Sequence, residues 1–480
     1  MEKLLFEKSR PGRKGYTMPR LDVPDYSGNL PDQYRRGNSP ELPEVSENEI
    51  ARHFVRLSHL NYNIEEGFYP LGSCTMKYNP KVNEKTSALP GFTELHPCSE
   101  EFHAQGALRL MYELEHYLME ITKLQGASLQ PAAGSQGELT GILMIRKYHL
   151  ERGDKDRKII LIPDSAHGTN PASAVIGGFE TQEIKSNPDG RINLDDLREK
   201  ANDKVAGFML TNPNTLGLFE KNILEIEKII HGCGGLMYMD GANMNALMGI
   251  TSPGEMGFDC VHINLHKTFS TPHGGGGPGS GPVCVSDKLV PYLPVPKIEK
   301  EGGKYRIIRQ DERSVGKVHS FFGNFGVFVR AYTYIRMLGA EGLHNVSKNA
   351  IINANYLFKL IKDRFDVPFD EYCMHEFVIS GDLQKEKGAT TKDMAKRLLD
   401  YGYHAPTVYF PLIVHEAMLV EPTETESIEA IEEFAQTMLK IADEAENNPE
   451  ILTNAPQNTP VRRLDDALAA RKLNIRWGNE

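Results

Sequence analysis

Cysteine is scarce in this sequence and never closely paired. The six cysteines, at positions 74, 98, 233, 260, 284 and 373, include no Cys-x-x-Cys spacing. That argues against a zinc ribbon, an iron–sulfur site and a secreted disulfide framework, so no metal is expected. Most of them read as small buried apolar groups. Cys74 lies in the polar, loop-like Gly72-Ser73-Cys74-Thr75, but the sequence shows no base beside it that would make it a reactive thiol. Positive charge is also in short supply: 54 Lys and Arg stand against 65 Asp and Glu, a formal net charge of −11. No basic face with interleaved aromatics is present to hold nucleic acid. No apolar run reaches membrane-spanning length, and Met1-Glu2-Lys3-Leu4-Leu5-Phe6-Glu7-Lys8 puts charges where a signal peptide needs apolar residues. The expectation is a cytoplasmic protein with neither nucleic acid nor membrane as a partner. Internal repeats and low-complexity tracts are lacking too.

A chain of 480 residues is long enough for a large core and predicts two or three structural units. Residues 1 to about 45 are rich in proline, glycine and charge, as in Arg10-Pro11-Gly12-Arg13-Lys14-Gly15; they read as an extended arm that lies across another subunit. Ser46 followed by Glu49 opens a helix with Ile50, Phe54 and Leu57 on one face. A long amphipathic helix is expected over 100–124. Beyond it strands at 158–163, 181–185, 205–210, 235–240, a run ending before Lys267, and 281–286 alternate with helices at 166–177, 194–201 and 220–231. Near-continuous apolar strands alternating with helices predict an α/β architecture, a mostly parallel sheet covered on both faces. Helices at 320–338, 346–365, 391–402 and 425–446, with strand candidates Val378-Ile379 and Val408-Tyr409-Phe410, suggest a smaller α+β domain. The expected division is an arm and helical segment over 1–90, a large domain over 91–345 and a small domain over 346–480.

Lys267 is the most informative position. It sits in Ile263-Asn264-Leu265-His266-Lys267-Thr268-Phe269, between an apolar run and the glycine-dense residues 274–281. Upstream, Gly235-Leu236-Met237-Tyr238-Met239-Asp240 reads as a buried strand ending in a carboxylate, with room for one crossover before Lys267. A lysine able to form an imine with a cofactor aldehyde, and an aspartate that keeps a pyridine nitrogen protonated, outline a pyridoxal 5'-phosphate site. Gly134-Ser135-Gln136-Gly137 opens a helix carrying Leu139, Ile142 and Leu143, and a helix N-terminus seats a phosphate. His167, in Asp164-Ser165-Ala166-His167-Gly168-Thr169-Asn170-Pro171, is placed to lie on the ring, with Ala242 small enough to pack beneath it and His266 beside the lysine. The glycine-rich tract lacks the Gly-Lys-Ser/Thr ending of a P-loop, which excludes a nucleoside triphosphate. Its glycines would let backbone approach the cofactor and a partner chain closely.

These segments resemble the glycine cleavage system P-protein family, and more narrowly the second chain of its two-chain bacterial form. The resemblance is carried by residues 67–80, 130–141, 164–174, 211–218, 239–249 and above all 262–281, with His404-Ala405-Pro406-Thr407 and Glu421-Pro422-Thr423-Glu424 extending it toward the C-terminus. It implies the aspartate aminotransferase-like fold type I of pyridoxal phosphate enzymes. The implied reaction is decarboxylation of glycine on a Schiff-base lysine, Lys267, with transfer of the aminomethyl group to the lipoyl arm of H-protein. It also implies a companion subunit 1, with two copies of each chain. Tyr69, Ser73, Thr75 and Lys77 are loose candidates for substrate contact. Competing readings are another fold type I amino-acid decarboxylase or aminotransferase, and a non-catalytic scaffold subunit.

Overall fold

Short aliphatic runs pair into a seven-stranded sheet in this computed structural model, which describes residues 2–24, 30–38, 40–273 and 279–475. The strands are β1 (Gly126–Ser128), β2 (Ile159–Pro163), β3 (Glu180–Ile184), β4 (Val205–Leu210), β5 (Leu236–Gly241), β6 (Cys260–Ile263) and β7 (Val283–Val285), in the order β1-β7-β6-β5-β4-β2-β3. The pairs from β6 through β5, β4 and β2 to β3 are parallel, whereas β7 runs antiparallel to both neighbours. Every residue of β4 and β5 is buried, which is why these strands read as unbroken apolar runs rather than alternating ones. One layer of helices, including Gln105–Thr122 and Ile223–Gly232, covers one face. Gly134–Glu151 covers the other with Ile142 and Ile145, and glycine is needed at position 141 because a methyl there would run into the Tyr238 ring.

The chain forms two compact units, Met1–Glu66 with Asn458–Glu480, and Gly67–Gln457. In the first, Ser46 and Glu49 make the expected capping box at the start of the helix Glu47–Ser58, with the Ser46 N–H donating to Glu49 at 2.9 Å. The second holds the large sheet, a hairpin of β8 (Lys297–Glu301) and β9 (Lys304–Ile308), and a three-stranded antiparallel sheet of β10 (Phe377–Ser380), β11 (Thr407–Val408) and β12 (Ala417–Val420) with β12 in the middle. The helices expected at 320–338 and 346–365 form one run, Phe325–Ile361, broken only at Gly339, whose φ of 63° no other residue type takes as readily. The small sheet is buried against this run and the helix Ile428–Asn447 through Phe377, Met418, Phe434 and Met438.

Of the glycine-rich stretch, positions 274 to 278 lie outside the described residues, and its two described glycines each stand at a close approach. A methyl on Gly279 would sit 2.5 Å from the His266 ring, and one on Gly281 would overlap the Ala133 carbonyl at the start of the helix Gly134–Glu151. Gly281 also donates its N–H to the Pro131 carbonyl at 3.1 Å. Gly281→Ala is therefore expected to cost about 3 kcal/mol by overpacking, read as a lower urea midpoint at unchanged m-value, with cofactor affinity falling alongside.

Candidate active site

Parallel pairing puts Asp240 at the end of β5 opposite His262 on β6. Past the end of β6 the chain turns into a single helical turn, Leu265–Thr268, so Lys267 follows the strand and points back over the same sheet edge as Asp240. This is the carboxyl end of the parallel strands, where open α/β sheets bind ligands. Asp240 accepts from the Ala242 N–H and the Asn170 side-chain amide, each at 3.0 Å, and lies 3.2 Å from His262 Nε2. Burial alone would push its carboxyl up; the His262 ring, these hydrogen bonds and the Lys267 charge outweigh it and hold the group below the usual carboxylate range. His262 is fixed in turn by the Tyr238 hydroxyl, 2.9 Å from Nδ1. The result is a buried anion with a supporting chain of polar groups behind it.

Asp240 and Lys267 open into a cleft of about 240 Å³ whose wall includes Gly134, Ser135, His167, Ala242 and Ser73. The helix Gly134–Glu151 begins at the cleft without a side-chain cap, on an extended Ala133. Its first-turn N–H groups and positive dipole end are thus available to an anion. Glycine at 134 keeps this approach open, since a methyl there would stand 2.7 Å from Asn264 Oδ1. His167 is exposed in the cleft, its Nδ1 2.8 Å from the Thr169 hydroxyl and its ring edge-on to Phe410. Thr169 and Ser173 donate to Glu138, at 2.8 and 2.9 Å.

Lys267 Nζ donates to the Ser73 carbonyl at 2.7 Å. Of the four loose substrate candidates, only Ser73 reaches the cleft. Tyr69 stacks on His404 with ring centroids 4.2 Å apart. Thr75 donates its backbone N–H to Glu421 at 3.0 Å, and Lys77 is buried in contacts of 2.8 Å with Glu424 and Asn245. Gln136 and His266 also stand outside the cleft wall. Gln136 accepts from the Ala132 N–H at 2.6 Å and donates to the Val318 carbonyl, bracing the turn that leads into the helix. His266 accepts from the Ser280 N–H at 3.2 Å; burial, with His273 and Lys267 nearby, takes its pKa down to about 3 and leaves it neutral.

Sequence reasoning missed Glu138, Asn170, Thr211, His262, His375 and Glu376, all of which line or support the cleft. Asn170 fell within the segment singled out around His167, and Glu421 within the Glu421-Pro422-Thr423-Glu424 motif. His375 and Glu376 carried no signal, because they come from the far end of the chain. Buried polar atoms of two residues that line the cleft, Thr211 Oγ1 and Asn264 Oδ1, have no hydrogen-bond partner among the described residues, and such atoms ordinarily find one. An uncapped helix start, His167 and Ala242 on the wall, a buried anion and a lysine amine around one cleft fit pyridoxal 5'-phosphate.

Comparison with known sequences gives the decisive observation: residues 22–298 match the family described as the glycine cleavage system P-protein. The chain belongs to that family. Residues 346–462 match the C-terminal domain of glycine dehydrogenase. Relatives of the P-protein named "Probable glycine dehydrogenase (decarboxylating) subunit 2" align end to end. The one from Chloroherpeton thalassium is 61% identical over 99% of this chain and 98% of its own. That from Caldanaerobacter subterraneus subsp. tengcongensis is 58% identical over 99% and 98%. Among solved structures, an inhibitor-bound glycine decarboxylase (P-protein) superposes with a TM-score of 0.72 at 19% identity, covering 86% of this chain and 94% of that one. An aspartate aminotransferase from Thermus thermophilus superposes at 0.58 and 11% identity, over 78% and 99%. These likenesses establish fold type I, as the sequence led one to expect.

Proposed function

We propose that this chain is the cofactor-bearing subunit of a pyridoxal phosphate-dependent glycine decarboxylase, and that it passes the aminomethyl group of glycine to the lipoyl arm of H-protein. The observation that carries this is the convergence of Lys267, Asp240 and an uncapped helix start on one cleft, in a chain whose relatives are named for that activity. When bound, the cofactor supplies an electron sink for the carbon that loses carbon dioxide. Lys267 would hold it covalently, and Asp240 would keep its ring nitrogen protonated. Gly134 and Ser135 would take the phosphate on backbone N–H groups, while His167 and Ala242 would flank the ring. Gln136 and His266 would act one layer out, by fixing the helix start and the lysine turn. Lys267 Nζ, when not engaged, rests on the Ser73 carbonyl. Glu138, pinned by Thr169 and Ser173, holds the His167 segment in place.

The partners we propose are glycine, a subunit 1 with two copies of each chain, and lipoylated H-protein, in the cytoplasm. No helix among the described residues is long and apolar enough to cross a membrane. The N-terminal arm supports a neighbouring subunit. Apart from the short turns Leu5–Lys8 and Asp32–Tyr34, its described residues before Glu47 hold neither helix nor strand, and Tyr16, Met18 and Leu21 are 77%, 72% and 70% exposed. Apolar side chains displayed on an extended arm gain stability by lying across another chain. Removing residues 1–43 is expected to weaken association with subunit 1 by at least about tenfold, roughly 1.4 kcal/mol, measured by analytical ultracentrifugation, with the visible cofactor band unchanged.

The test of the function is to mix the purified chain with subunit 1, lipoylated H-protein and glycine and follow exchange of labelled bicarbonate into glycine. Exchange that needs all three proteins is the expected result. Equal turnover of other amino acids without H-protein would favour a different decarboxylase, and a chain that takes up no cofactor would leave only a scaffold.

A further inference from the structure

Glu376, on the residue before β10, and Glu421, on the residue after β12, are 4% and 0% exposed. An oxygen of each, together with a ring nitrogen of His375, falls within 4.8 Å of the others. Both carboxylates reach the same short loop: Glu376 accepts the Ser73 N–H at 2.6 Å and Glu421 the Thr75 N–H at 3.0 Å, with the Asn243 side chain donating to Glu421 at 3.0 Å. Ser73 and Thr75 hold φ of 64° and 47°, left-handed conformations that cost a side-chain-bearing residue of order 1 kcal/mol each unless the surroundings enforce them. The enforcement is visible. Gly72 donates to the Leu419 carbonyl at 3.2 Å and its own carbonyl accepts from Thr407 Oγ1 at 2.7 Å. A methyl on Gly72 would stand 2.6 Å from the Leu419 carbonyl oxygen. The product of this clamp is the Ser73 carbonyl, aimed at Lys267 Nζ.

We infer that Glu376 and Glu421 are positioning residues for Lys267: the pair shares a single proton, holds the 73–75 loop in its strained form, and presents one negative charge and the Ser73 carbonyl to the lysine nitrogen. Two carboxylates this close in a buried site cannot both ionise, so the pair titrates as a unit. Burial pushes Glu421 up to about 7 and holds Glu376 well above the usual carboxylate range, the Glu421 charge adding to the latter, while Lys267 pulls both down. Asp240, Glu138, His167 and His262 also line the cleft with the lysine. Burial takes His375 and His266 to about 3 and His273 to about 4, and it raises the thiols of Cys74 and Cys373. The inference rests on the reading of Lys267 as the residue that holds the cofactor.

The test is the pH midpoint of the visible cofactor band, which reports protonation at the Lys267 nitrogen, in holoenzyme assembled with subunit 1. In Glu376→Gln the remaining Glu421 ionises freely, and in Glu421→Gln the remaining Glu376 does, so each single variant keeps one negative charge. Each is expected to keep the wild-type midpoint within about 0.3 unit, while the double variant shifts it down by about one unit or more, since an opposite charge nearby favours the protonated nitrogen. Gln retains an oxygen for the Ser73 or Thr75 N–H, and hydrogen exchange over residues 71–77 checks that the loop stays closed. A full shift in either single variant, or none in the double, overturns the inference. Should the double variant fail to fold, the two single variants decide: an unshifted midpoint in both supports the shared charge. A wild-type chain with no visible band removes the reading of Lys267 and this inference with it, whereas a normal band with the wrong pattern of shifts removes only the inference.

Discussion

Lys267→Ala is expected to abolish glycine decarboxylation, a loss of at least about a thousandfold or about 4 kcal/mol of barrier, while the chain remains folded. The described bond of Lys267 Nζ is a single one, to the Ser73 carbonyl at 2.7 Å. Losing it costs a few kcal/mol at most, within the margin of a domain of this size. Bicarbonate exchange would measure the first part and circular dichroism the second. Borohydride reduction of the wild-type holoenzyme followed by peptide mapping should place the cofactor on Lys267, and on no residue in the variant. Label on another lysine would move the site.

Asp240→Asn preserves size and shape but removes the charge, and we expect a drop of roughly a hundredfold, about 2.7 kcal/mol. The carboxylate accepts from Asn170 and the Ala242 N–H and lies against His262. An amide offers one acceptor oxygen where Asp240 offers two, so it leaves a buried donor opposed as well as removing the counter-charge for a ring proton. The loss should appear in the exchange rate more than in cofactor retention, because the phosphate seat we propose at Gly134 and Ser135 is separate from Asp240. Near-normal exchange would show that the ring nitrogen does not depend on this carboxylate.

The legible part of this protein was the part with local rules. The strands β2, β4, β5 and β6 are buried on both faces and so were visible as apolar runs, and the helices between them as amphipathic periodicity. Lys267, Asp240 and the Gly134 helix start were legible because each stands at a strand end or a helix start, where chemistry and chain direction coincide. The strands that escaped notice are short or polar: β1 is Gly-Ala-Ser, the β8–β9 hairpin is largely Lys, Glu and Ile, and β12 is four buried residues indistinguishable from a helix turn.

The amino-acid sequence by itself determined that a parallel α/β sheet would present a lysine and an aspartate at one edge, since the period of apolar residues and the direction of a crossover are local properties. It determined the family as well, through the run from Asn264 to Phe269. Only the tertiary structure decided which distant side chains complete the site. Bringing Glu376 and Glu421 to the 73–75 loop spans more than 300 residues of chain, and it depends on β12 lying between β10 and β11 and on Gly72 meeting Leu419. The same long-range pairing turned Thr75 and Lys77 away from the cleft and left Ser73 to face Lys267. A contact made by sheet order carries no periodicity for a single segment to reveal.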